Sequence, residues 1–167
     1  DGTYKVYAVD AAGNLSSASS NSVTVDSAPT VTFNPANGAR GGRGADITIT
    51  FSEAVRLINN DELTDSNVDS LITLKNENAS GSNIGFDATI NGAKTVITIN
   101  PSNTLPTIRY IYVAIGASVE DYVGHAITAS DATFQTCKNN NVLPCVDTTA
   151  PTLSSVGIAS NNSTTTL

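Results

Sequence analysis

Short runs of alternating apolar and polar residues recur along this chain, separated by Gly, Pro and Asn turns. The cleanest is Ile47-Thr48-Ile49-Thr50-Phe51. Its period of two predicts a strand with Ile47, Ile49 and Phe51 facing a core and the threonines facing water. Further strands are expected at 30–33, 71–74, 84–90, 95–99, 109–115 and 133–136. The pair Asn91-Gly92 between two of these runs predicts a tight hairpin turn, because both residues tolerate positive φ. Pro101 cannot donate to a ladder and is expected to end the next strand. The run 109–115 is apolar on both faces and predicts a central strand covered on each side. The acidic, polar stretch 59–70 has room for one helical turn. Ahead of these lie a strand pattern at 3–9, a turn at Asp10-Ala-Ala-Gly13-Asn14, and a second short strand at 22–25. Two strands alone are marginal in water, so this hairpin needs a partner sheet.

One phrase is written twice. Val25-Asp26-Ser27-Ala28-Pro29-Thr30 returns as Val146-Asp147-Thr148-Thr149-Ala150-Pro151-Thr152. Both copies follow one β-like run and precede another, as joints between modules do. The organisation expected is therefore the C-terminal strands of a preceding module at 1–26, a complete module at 27–146, and the first strand or strands of a following module at 147–167. The flanking pieces are each too short to form a core. Either the segment is a window on a longer polypeptide, or the tail of one copy completes the sheet begun by the head of the next. The second route would propagate head to tail, since strand addition supplies a ladder of main-chain hydrogen bonds.

Composition agrees with an all-β class. The chain has 18 Ser, 22 Thr and 18 Asn, only 14% charged residues, and neither Met nor Trp. Such residues suit strands with solvated faces and compete with helical hydrogen bonding. The formal net charge of −7 argues against a nucleic-acid or anionic-membrane surface. No apolar run approaches the ~18–20 residues needed to span a bilayer, and any export signal is expected outside the segment. Cys137 and Cys145 would close a small loop as a disulfide, a staple contributing about 2–3 kcal/mol in an oxidising compartment. The alternative is two free thiols.

Catalytic patterns find little footing. His125 is the single imidazole and has no nucleophile elbow to serve. Asp61-Glu62 and Glu120-Asp121 are adjacent pairs rather than carboxylates opposed across a cleft. Gly41-Gly42-Arg43-Gly44-Ala45-Asp46 matches the opening of a calcium β-roll, but that architecture needs stacked copies and the chain has one. The plainer expectation is a mobile glycine loop before the strand at Ile47. Tyr4, Tyr7, Tyr110, Tyr112 and Tyr122 would make a sugar-stacking platform if exposed together; their apolar settings predict core packing instead.

The ordered set Pro35-Ala-Asn-Gly-Ala39, Ile47 through Val55, Ile97-Thr-Ile-Asn-Pro101 and Tyr110 through Gly124 resembles the Ig-like domains of bacterial S-layer and other large secreted surface proteins. That family often carries an Asp-x-x-Gly-Asn turn late in the domain, and this chain has Asp121-Tyr-Val-Gly-His125, with His in place of Asn. The segment Asp1-Gly-Thr-Tyr-Lys-Val with Asp10-Ala-Ala-Gly-Asn14 resembles the last two strands of a related repeat type. The resemblance implies an immunoglobulin-like antiparallel β-sandwich in a tandem array with incomplete flanking modules. It further implies a non-catalytic stalk, adhesin, S-layer or filament subunit at a bacterial cell surface, whose partners are neighbouring modules or copies of itself. It also suggests calcium at the joints, through Asp10, Asp26, Asp121 and Asp147, since the ion gathers several oxygen ligands and stiffens an array. The plainer role for each is a turn-forming side chain that accepts local N–H groups. Two other functions fit the same fold: a carbohydrate-binding or adhesin-tip module, and an accessory domain of a secreted hydrolase.

Overall fold

A computed structural model describes residues 2–138. Among these, twelve strands carry the fold, and one 3-10 turn at Val68–Leu71 is its sole helical element. The strands β3 (Val31–Asn34), β5 (Ile47–Phe51), β9 (Val96–Pro101) and β8 (Phe86–Ile90) form one four-stranded sheet in that spatial order. A second sheet runs β4 (Arg40–Gly41), β12 (Ser130–Thr136), β10 (Tyr110–Ile115) and β7 (Ile72–Asn76). A two-stranded ribbon, β6 (Arg56–Leu57) with β11 (Val119–Glu120), accompanies them.

The inner faces follow the alternation read from the chain. In β5, Ile47, Ile49 and Phe51 are buried while Thr48 and Thr50 are half-buried. Register sets Ile47 opposite Ile99 and Ile49 opposite Ile97, so β9 adds its own apolar face to the same side. The second sheet contributes Leu74, Ile111, Val113, Ile115, Ala132 and Phe134, and the two sets form one core cluster. Two buried aliphatic layers facing each other, each alternating with solvated residues, make a β-sandwich.

Several details depart from the expectations. The strand β10 is central, paired with β12 on one side and β7 on the other. Its faces nevertheless differ: Ile111, Val113 and Ile115 are buried, and Tyr110 is exposed. The sheet thus has one dry face, the ordinary state of a two-layer sandwich. The pairing is antiparallel throughout, except that β4 runs parallel to β12 through Arg40–Gln135 and Gly41–Thr136.

The hairpin β8–β9 forms as expected, but by different turn chemistry. Lys94, with φ 58°, takes the left-handed position. Asn91 closes the loop through its side chain, whose Oδ1 accepts from the N–H groups of Thr95 at 2.9 Å and Val96 at 3.2 Å. Lys94 is held there by its ammonium, which donates to the carbonyl of Leu63 at 2.8 Å and pairs with Glu62 at 2.9 Å.

The glycine stretch 41–46 is structural at its start. Gly41 is buried in β4, and a Cβ there would lie 2.6 Å from Cγ of Pro35 and 2.9 Å from the ring of Phe134. Next to it, Arg43 donates from Nε to the carbonyl of Leu105 at 2.6 Å. The stretch 59–70 supplies the single 3-10 turn and a second service. Asp65 and Asp69 accept the N–H groups of Ile90 and Ala88, each at 2.8 Å. These groups lie on the outer edge of β8, so the acidic loop caps an edge that would otherwise offer free donors.

Before the sandwich stands a hairpin of β1 (Gly2–Lys5) and β2 (Ser22–Val25), in register from Gly2–Val25 to Lys5–Ser22. A bridge between Val9 and Leu15 extends it toward the turn at Asp10. Every residue of β2 is exposed, as is every residue of β1 beyond Gly2. The apolar settings of the tyrosines predict a place in the core. The structure leaves Tyr4, Tyr7, Tyr110 and Tyr122 at least half exposed.

Candidate functional site

The turn that ends β11 is built around one carboxylate. Asp121 is buried, and its Oδ1 accepts N–H groups from Val123 at 2.8 Å, Gly124 at 2.6 Å and His125 at 2.9 Å. Its Oδ2 lies 2.9 Å from Nδ1 of His125. The backbone can wrap the carboxylate this way because Gly124 adopts φ 99°, which favours a residue without a Cβ. The turn is pinned on both flanks by Asp121 N–H to the His125 carbonyl at 3.1 Å and Ile127 N–H to the Val119 carbonyl at 3.0 Å. Burial alone would raise the carboxyl's pKa. The hydrogen bonds from His125, Val123 and Gly124 outweigh it and hold Asp121 below its ordinary range.

A second segment reaches the same place. Asp26, which follows β2 in the linker to the sandwich, joins Asp121 and His125 in a group whose potential ligand atoms lie within 4.8 Å of one another. Glu53 senses this concentration of charge. Partial burial, then the carboxylates of Asp26 and Asp121, push its own carboxyl upward, with His125 opposing. Alongside, Arg56 pairs with the largely buried Glu120 at 3.1 Å and lies 5.6 Å from the ring centre of Tyr122. That guanidinium is thus engaged by Glu120 and an aromatic face.

The four aspartates singled out in the sequence therefore separate. Asp26 and Asp121 meet. Asp10 stays in its own exposed turn, where its Oδ1 accepts from the N–H groups of Ala12 and Asn14 and its Oδ2 from the Asn14 side chain, all at 2.9 Å. The Asn14 amide, with the backbone donors, lowers its pKa. This is the turn-forming role. Asp147 lies outside the described residues, and so does Cys145, with the disulfide expected of it. Cys137 is buried at the end of β12, its Sγ 3.0 Å from the Gly41 carbonyl oxygen. His125, met in the sequence as a single imidazole with no nucleophile to serve, gains the joint aspartates as neighbours only in the fold. The available signal was its spacing of four from Asp121 inside a turn that usually ends in Asn.

A groove of about 390 Å³ lies elsewhere, lined by Asn76, Asn83, Ile84, Gly85, Asn103, Thr104, Leu105 and Pro106. It holds amide groups and aliphatic side chains but neither a charge nor an aromatic ring. No helix among the described residues is long and apolar enough to cross a membrane.

Comparison with known proteins places this architecture. No curated protein matches the sequence. Among solved structures, L,D-transpeptidase 1 from Mycobacterium tuberculosis is 18% identical, covering 65% of this chain and 38% of its own, with a TM-score of 0.40. The N-terminal part of the bacterial S-layer protein SbsC is 14% identical over 65% of this chain and 23% of its own, with a TM-score of 0.47. CopC from Methylosinus trichosporium OB3b is 10% identical over 69% of this chain and 99% of its own, with a TM-score of 0.44. The chain thus spans well under half of the transpeptidase and S-layer chains, and at such similarity none of the three bears on what it does. The model of the bacterial Ig-like domain matches residues 25–136, taking in every strand of both sheets, and the chain belongs to that family.

Proposed function

We propose that the chain is a structural, non-catalytic module of an extracellular bacterial surface or fibre protein, a stiff spacer whose N-terminal hairpin is completed by strands from a neighbouring module or a second copy. The observation that carries this reading is the β1–β2 hairpin. Tyr4, Val6, Tyr7, Val9, Leu15, Val23 and Val25 are each at least half exposed, while the sandwich beside them is closed around its own core. A two-stranded ribbon does not bury enough surface to stand alone. Its apolar positions make sense as half of an interface whose other half comes from a neighbour.

The sequence supplies a matching half. Residues 152–158 hold Leu153, Val156 and Ile158 just after the second joint phrase. A copy donating that strand to the hairpin of the next would build a head-to-tail filament. Light scattering on the purified chain across a wide concentration range, with electron microscopy of the concentrated sample, tests this. Self-association into linear particles, blocked by a peptide of residues 147–167, is expected. A monomer at all concentrations that ignores the peptide would refute assembly between copies and leave only completion by a preceding module of the same chain.

A second reading rests on the exposed Tyr4, Tyr7 and Tyr110, whose rings offer aromatic faces to a flat ligand. It makes the chain a carbohydrate-binding or adhesin module. Specific binding on a glycan array, lost on Tyr7→Ala or Tyr110→Ala, would favour it.

A further inference from the structure

Two carboxylates, Asp26 and Asp121, converge with the imidazole of His125, their potential ligand atoms within 4.8 Å of one another, and Arg56 is already held by Glu120. We propose that this cluster binds a borderline divalent transition cation of the Zn²⁺ class, held by Asp26, Asp121 and His125. Two observations select that class over calcium. The first is the donor set. One imidazole nitrogen and two carboxylates within 4.8 Å suit a small ion that accepts nitrogen ligands in low coordination number, whereas calcium needs six to eight oxygens. The second is where the donors come from. Asp121 spends Oδ1 on three backbone N–H groups, its Oδ2 lies 2.9 Å from Nδ1 of His125, and Asp26 comes in from a separate segment, so one nitrogen and two carboxylate donors converge from two parts of the chain.

The ion would sit between Oδ2 of Asp121 and the carboxylate of Asp26, with His125 supplying the nitrogen. His125 is half exposed, so the site opens to solvent on one side and has room for a water ligand. Binding would also fix geometry. Asp26 lies in the linker after the hairpin, and Asp121 and His125 lie in a turn of the sandwich, so one ion would tie the linker to the sandwich at the joint. The residue that sets the metal class is His125, which stands where the resembling turns carry Asn.

The test uses the whole chain, stripped of metal by a chelator and dialysed. ZnCl₂ and CaCl₂ are titrated in separate calorimetric and thermal-unfolding experiments on the native chain and on the variants His125→Asn, Asp26→Asn and Asp10→Asn. Asp121 is left intact because its loss would undo the turn. One Zn²⁺ per chain is expected, with a rise in Tm. His125→Asn and Asp26→Asn should each weaken Zn²⁺ binding by about 10-fold or more, since even outer partners of a bound metal are worth that much. Asp10→Asn should leave it unchanged, and the unliganded variants should melt close to the native chain. The proposal is overturned if Zn²⁺ does not bind, if it binds equally well without His125, or if calcium alone gives the stabilisation.

Discussion

Val23 and Ile49 occupy equivalent places in their strands: each is an apolar residue flanked by polar ones in a run of strict alternation. Ile49 is wholly buried, and Val23 is 59% exposed. The difference lies in what stands opposite. Ile49 faces a second sheet that brings Ile111, Val113 and Phe134 into one cluster with it, whereas among the described residues the hairpin of Val23 has a ladder and no layer. Alternation encodes which face of a strand is apolar; it does not encode what covers that face. The sandwich carries its cover within residues 31–136, and no layer among the described residues covers the hairpin.

The sharpest way to break this contrast is to remove the core on one side of it. Phe134→Ala should destabilise the sandwich by about 3–5 kcal/mol, from lost burial and the cavity left behind. Urea denaturation followed by fluorescence or circular dichroism measures it. Filling the space against the same ring should cost less. Gly41→Val would drive a side chain into Pro35 and Phe134 and destabilise by about 1–3 kcal/mol. A third change concerns Asp121. Its folded pKa lies below the ordinary 3.8, so its contribution is complete above that value and lost as the pH falls through the folded one. Acid titration of the native chain should show this loss, and Asp121→Asn should flatten that part of the profile while lowering Tm at neutral pH. The smallest effect belongs to the hairpin. Val23→Ser should alter the stability of the dilute chain by no more than about 0.5 kcal/mol, because it changes an exposed side chain. The same substitution should weaken self-association, which light scattering reads directly.

The legible and illegible parts of the fold divide along similar lines. Strands whose covering layer lies within the same sequence stretch were readable from period two alone, as at Ile47–Phe51 and the β8–β9 hairpin. The closing of that hairpin was not, because the left-handed position went to Lys94. Its ammonium reaches the Leu63 carbonyl and Glu62, partners about thirty residues upstream that no local rule can supply. Gly41 reads as part of a mobile loop because the pressure on it comes from Pro35 and from Phe134, the latter almost a hundred residues away, and only the fold brings both against it. The candidate site was half readable. Asp26 and Asp121 announce themselves as turn and joint aspartates, but only tertiary folding brings them to each other and to His125. Tyr4, Tyr7, Tyr110 and Tyr122 are exposed for the reason Val23 is: an apolar setting along the chain does not guarantee a layer above it.

Amide hydrogen exchange, followed by mass spectrometry on the chain at low and at high concentration, tests most directly whether the hairpin is the unfinished half of an interface. Slow exchange is expected in β5, β9, β10 and β12 at both concentrations. Over residues 2–25 exchange should be fast when dilute, with strong protection when concentrated or when the 147–167 peptide is added. Protection of the hairpin equal to that of β5 in the dilute monomer, unchanged by concentration or peptide, would contradict it.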